Sequence, residues 1–99
     1  MDEIALLTEP RRREILRLIW DGERSAGDIA AHFDISFGAV SQHLARLRDA
    51  GFVAVRADGN HRYYRAERTA LAPYRPMLEA MWSSVLHRIA TLAEEAEEA

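Results

Sequence analysis

Apolar residues recur at helical spacing over roughly the first fifty positions, switch to alternation after Gly51, and return to helical spacing towards the C-terminus. EIALL at 3–7 predicts a short apolar helix, which Thr8-Glu9-Pro10 interrupts. Thr8 can cap there, and Pro10, with no N–H to lose, suits the first turn of a new helix. That second helix is expected from about Pro10 to Asp21, with Ile15, Leu16, Leu18 and Ile19 facing the core and Gly22 ending it. Ser25-Ala26-Gly27-Asp28 is similar to a capping box with Asp in its final position, and it opens a short helix that buries Ile29 and Phe33. Asp34-Ile35-Ser36 leaves room only for a tight turn, with Ser36 capping the next helix. This fourth helix reaches about Ala50, and Gly51 supplies the left-handed residue just past its end. Val40, Leu44 and Leu47 form its buried stripe, and roughly opposite lie Gly38, Ala39, Gln42, Ala45 and Arg46.

FVAVRADGNHRYYRA then places β-branched and aromatic residues around Asp58-Gly59-Asn60, which predicts a two-stranded hairpin. Pro73 and Pro76 delay or restart helix formation, after which a long helix is expected to run to the acidic end. On it Leu78, Trp82, Val85, Ile89, Leu92 and Ala96 fall at alternating steps of four and three, a coiled-coil-like seam that calls for a partner.

With 99 residues the chain can build one modest core, so a single domain over 1–99 is expected, with no linker or internal repeat. No apolar run approaches the roughly 20 residues of a membrane-spanning helix, and the acidic start MDEIALLTEP lacks the basic flank of a signal peptide. A soluble cytoplasmic protein with no membrane partner is the expectation. The absence of cysteine excludes disulfides, thiolate metal sites and cysteine nucleophiles, leaving His, Asp and Glu as possible metal ligands. No phosphate-binding glycine loop, G-x-S-x-G elbow or H-E-x-x-H pair occurs, so an enzyme is not expected.

A net charge of −3 argues mildly against a nucleic-acid partner until the charges are placed along the chain. Residues 1–9 hold three acids and no base, and 69–99 hold two arginines against five acids. Between them, 10–68 hold eleven arginines against eight acids, a balance of +3. A basic centre between acidic ends could meet a polyanion on one face.

The order helix, helix, short helix, corner, helix, hairpin, long helix is that of a winged helix-turn-helix, mainly α with a small β-hairpin wing and a dimerising helix at each end. The stretches EPRRREILRLI, ISFGAVSQHLARLRDAGFV and DGNHRYYR together resemble the ArsR family of bacterial repressors over roughly residues 8–92. Most telling is Val40-Ser41-Gln42-His43-Leu44, followed by Leu47 and by Ala50-Gly51-Phe52-Val53.

The resemblance implies a homodimer on a double-stranded DNA operator. Its recognition helices, about 36–50, would enter successive major grooves of a near-palindrome, with half-sites about 34–36 Å apart and the wings on flanking backbone or minor groove. The helix-turn-helix then covers about 25–50, the wing about 52–66, and the dimerising helices about 2–8 and 73–96. Ile4, Leu7, Leu78, Trp82, Val85, Ile89 and Leu92 are the expected dimer interface. Candidate DNA contacts are Ser36, Phe37, Gly38, Ala39, Ser41, Gln42, His43 and Arg46 on the helix, with Arg56, His61 and Arg62 on the wing. Gln42 can pair bidentately with adenine, Arg46 can reach guanine or a phosphate, and Ser36 and Ser41 can bond phosphates. His43, at the edge of the buried stripe, either orients the helix or touches a phosphate. Phe37-Gly38 stands where the family commonly has Gln-Pro, and Phe37 either covers a thymine methyl or packs at the helix start. Arg12 matches the family's usual arginine and is read as structural, Trp20 as core, His32 as surface.

One branch of the family resembles metal sensors with paired Asp and His ligands along the terminal helix. Here His87 stands alone, with Ala90 and Thr91 one turn later, so neither a metal nor another cofactor is expected. Met77, Met81 and Trp82 could line a small-molecule pocket, but large apolar residues at this spacing more often form core or interface. The expected function is sequence-specific repression by occupancy of promoter DNA. Two alternatives stay open: a winged-helix protein-interaction module without DNA binding, and a repressor responsive to a non-thiol metal or small molecule.

Overall fold

In the structure, a computed structural model that describes residues 2–84, the first helix starts from Asp2. The Asp2 carboxylate accepts from the Ile4 N–H at 3.2 Å and opens α1 (Glu3–Thr8). Next comes α2 (Pro10–Leu18), which Glu9 rather than Thr8 caps. With Pro10 as its first residue, the capping position falls at 9, and the Glu9 carboxylate accepts from the Arg12 N–H at 2.9 Å. Thr8 instead closes α1, its hydroxyl donating to the Ala5 carbonyl.

The second helix also ends earlier than its sequence suggests, at Leu18 rather than Asp21, and Gly22 does not take a positive φ. A longer helix would aim the Ile19 carbonyl at residue 23. That carbonyl accepts instead from the Ala66 N–H at 3.1 Å, tying the end of α2 to the sheet.

Two residues, Arg24–Ser25, form β1, a strand with no signature in the sequence. Ser25 then caps α3 (Ala26–Ala31), its Oγ accepting from the Asp28 N–H. After the corner, α4 (Phe37–Asp49) is capped by Ser36, whose Oγ accepts from the Ala39 N–H at 3.1 Å. Its end is a Schellman closure: Phe52 N–H reaches the Leu47 carbonyl, Gly51 N–H reaches that of Arg48, and Gly51 holds φ +83°. Phe52 and Leu47 are both buried there.

The hairpin pairs β2 (Val53–Asp58) with β3 (His61–Ala66), Asp58 opposite His61. The two-residue loop Gly59-Asn60 needs a positive φ at its first position, and Gly59 supplies +61°. Strand β1 adds to the other edge of β3, giving an antiparallel sheet of order β1-β3-β2. A short α5 (Arg68–Leu71) and a 3-10 turn (Ala72–Tyr74) follow, and residues 75–84 are helical (α6).

One core joins these elements, with Leu7, Ile15, Leu16, Ile19, Ile29, Val40, Leu47, Leu71 and Leu78 fully buried and Leu44 nearly so. Each such side chain contributes about 1.5–3 kcal/mol on burial. The family resemblance places Leu7 and Leu78 against a second subunit, but both are 0% exposed within the single chain. The reason is that α1 and α6 fold back on α2. Tyr74 donates its hydroxyl to Glu3, Trp82 Nε1 donates to the Arg13 carbonyl at 3.0 Å, and the Trp82 ring meets half-buried Trp20 edge-on. Trp82 thus belongs mainly to this core, whereas Ile4 stays exposed. Val85, Ile89, Leu92 and Ala96, the other seam positions, lie outside the described residues.

Candidate nucleic-acid interface

Helix α4 presents two chemically distinct sides. Val40, Leu44 and Leu47 pack into the core, as their spacing predicts. Opposite them Phe37, Gly38, Ser41, Gln42, Ala45 and Arg46 are exposed, with Ser36 just ahead of the helix, while Ala39 is half-buried. The Ser36 hydroxyl accepts a bond in capping the helix but keeps its own proton for donation.

His43 is turned to the inner edge of this helix. Its Nδ1 lies 3.2 Å from Arg12 Nη1 and 3.8 Å from Glu9 Oε2. Because a guanidinium can only donate, Nδ1 accepts, and the ring is neutral with its proton on Nε2. Burial pushes the His43 pKa below its ordinary value, and the charges of Arg12, Arg11 and Arg46 act in the same sense, against the pull of Glu9. The same Glu9 oxygen also accepts from the Arg12 backbone N–H. Arg12, only 4% exposed, also donates Nε to the Leu6 carbonyl at 2.7 Å. One guanidinium thus links the end of α1 to the inner side of α4.

The wing divides its candidates between two faces. Side chains alternate along a strand, and the register sets Arg56 opposite Tyr63 and Ala57 opposite Arg62. Arg62 shares a face with Tyr64 and, with Asn60, borders a cleft of about 290 Å³ whose far wall is Phe37, Val40, Ser41 and Leu44. Arg56 lies on the other face, where its guanidinium stands 4.6 Å from the Tyr63 ring centroid and its Nη2 donates to Glu23 at 2.6 Å. That hydrogen bond raises the Arg56 pKa and lowers that of Glu23. Asp58 adds a second carboxylate at 3.6 Å. His61 is on this same face, its ring tilted against Tyr63.

Arg46 and Arg62 therefore have no ion pair among the described residues, whereas Arg56 does. Nothing local in the sequence marks Glu23 and Tyr63 as the partners of Arg56. Glu23 is 33 residues away, and only the docking of β1 on β3 brings it near. Arg13 serves the fold, donating to the Thr8 carbonyl at 2.9 Å. Among the described residues no three His, Asp or Glu side chains gather as a metal site, and no helix is long and apolar enough to cross a membrane. His87 lies outside those residues.

Comparison with known proteins agrees with this geometry. Residues 9–55 match the family model described as bacterial regulatory protein, arsR family. The transcriptional repressor SdpR of Bacillus subtilis is 40% identical over 65 residues, covering 66% of this chain and 72% of SdpR. The transcriptional activator HlyU of Vibrio cholerae is 32% identical over 83 residues, covering 84% of this chain and 69% of HlyU. Among solved structures, that of a possible transcriptional regulator for arsenical resistance superposes with a TM-score of 0.71 at 38% identity, covering 92% of this chain and 95% of that one.

Proposed function

This chain belongs to the arsR family of bacterial regulatory proteins, a family of transcriptional regulators, and from that premise we propose that it represses transcription as a homodimer seated on a near-palindromic DNA operator. The observation that carries this reading is the outward surface of α4 together with the cleft-facing side of the wing. Gln42 and Arg46 there offer an amide and a guanidinium suited to base edges, with Ser36, Ser41 and Arg62 as donors for phosphates. The acidic overall balance does not oppose it, because the cations are concentrated between residues 10 and 68. Repression follows from occupancy: a dimer covering promoter DNA blocks polymerase. Ile4 and the seam positions Val85, Ile89 and Leu92 are the proposed contacts between subunits.

The test is to select duplexes from a random pool with the purified protein, then measure binding across a salt series alongside sedimentation of the free protein and the complex. One dimer per selected site is expected, with log affinity falling linearly against log salt by about 0.9 for each phosphate contact. Selection of no sequence, or a monomer on and off DNA, overturns the reading.

A further inference from the structure

The recognition face carries an unusual group for a surface meant to meet a polyanion. Phe37, in the first turn of α4, is 58% exposed, more than any other large apolar side chain among the described residues. It borders the cleft between α4 and the wing, and its neighbours there are polar on the open side: Ser41 one turn along the helix, Asn60 and Arg62 across from it. An apolar ring on such a surface gains free energy only where something apolar meets it. The polar neighbours do not favour an apolar protein partner, since closing one over them would strand their hydrogen-bonding groups. The major groove of B-DNA meets both demands, because its base edges and phosphates are polar except for the C5-methyl of thymine. Gly38 adds a second observation. A Cβ built there would meet only Ser36 Oγ, at 3.9 Å, so no packing inside the chain requires glycine beside Phe37, although glycine weakens a helix. Its bare backbone lets this end of α4 lie close against another surface.

Resting on the DNA-binding reading above, we propose that Phe37 is a specificity-determining residue that packs its ring on the C5-methyl of one thymine in each operator half-site. Gln42 and Arg46 read hydrogen-bonding edges, and Phe37 adds the apolar part of the recognition. Sequence preference at that position then depends on a methyl group.

The experiment uses the full chain and a duplex selected from random sequence, with each thymine in turn replaced by deoxyuridine, which removes only the methyl. Wild-type protein should lose roughly fourfold in affinity at one position per half-site, and about fifteenfold when both are replaced. Phe37→Ala should bind the parent duplex more weakly and be indifferent to the same replacements, while Phe37→Leu retains part of the sensitivity. Thermal melts of both variants check that the fold is kept, as an exposed position should allow. Selective binding by the wild type with no methyl dependence, or equal dependence in Phe37→Ala, overturns the role of Phe37 and leaves DNA recognition standing. Failure to select any duplex overturns DNA recognition itself, and the role of Phe37 with it.

Discussion

Arg12 and Arg62 carry the same guanidinium into opposite surroundings. At the junction of α1 and α2, Arg12 is buried, with Nε on the Leu6 carbonyl and Nη1 on His43. Across the cleft from α4, Arg62 is exposed and makes no ion pair among the described residues. Arg56 stands between them, as exposed as a wing residue should be yet held by Glu23. The difference lies in the acceptors that the fold brings to each position. A cation whose acceptors are internal holds helices together, and one without them is left to recruit an external anion. Exposure alone does not separate the two, as Arg56 demonstrates.

The sharpest way to break this contrast is to remove outward groups and ask whether the fold notices. Replacing Gln42 and Arg46 together by Ala should cost about 2–6 kcal/mol of operator binding, from about 1–3 for each base contact. The urea unfolding midpoint should shift by the equivalent of less than about 0.5 kcal/mol. A large loss of stability would mean that these residues serve the fold.

Arg12→Ala is the converse case. It strands the buried Leu6 carbonyl, so unfolding free energy should drop by about 2–3 kcal/mol in urea titrations. An unchanged midpoint would contradict the structural role.

A smaller effect separates the two wing arginines. Arg62→Ala should flatten the salt dependence of DNA binding by about 0.9 in log-log slope, the loss of one phosphate contact. Arg56→Ala should leave that slope nearly unchanged, and Glu23→Gln, by freeing Arg56, should steepen it. Equal slopes for the two arginine variants would erase the distinction between the wing's faces.

The smallest effect concerns His43 and pH. Its pKa in the folded chain lies below the ordinary 6.5 of the unfolded one, so its contribution to stability is complete above that value and is lost as pH falls through the folded value. Protonation would set a second cation against Arg12 and remove the acceptor at Nδ1. The urea midpoint should therefore fall between about pH 7.5 and 5.5, and His43→Gln, which keeps an acceptor for Arg12, should reduce that fall.

Much of this architecture was legible in the sequence because its signals are local. The Ser25 and Ser36 caps act three residues ahead, the Val40, Leu44 and Leu47 stripe needs only helical geometry, and Gly51 and Gly59 take the positive φ their turns demand. The end of α2 is not legible in the sequence because a distant N–H, that of Ala66, claims the Ile19 carbonyl. Strand β1 has no local signal because two residues carry no periodicity and exist as a strand only by pairing with β3.

The sequence alone therefore determined the order of the helices, the hairpin, the inward stripe of α4 and its outward polar face, since each depends on spacing within a few residues. Only the tertiary structure decided which arginines are committed to internal acceptors and which have no ion pair among the described residues, and that Leu7 and Leu78 serve the chain's own core. Those outcomes depend on groups tens of residues apart, Arg12 with His43 and Arg56 with Glu23, and no local pattern encodes a contact that forms only when α2, α4 and the sheet have packed.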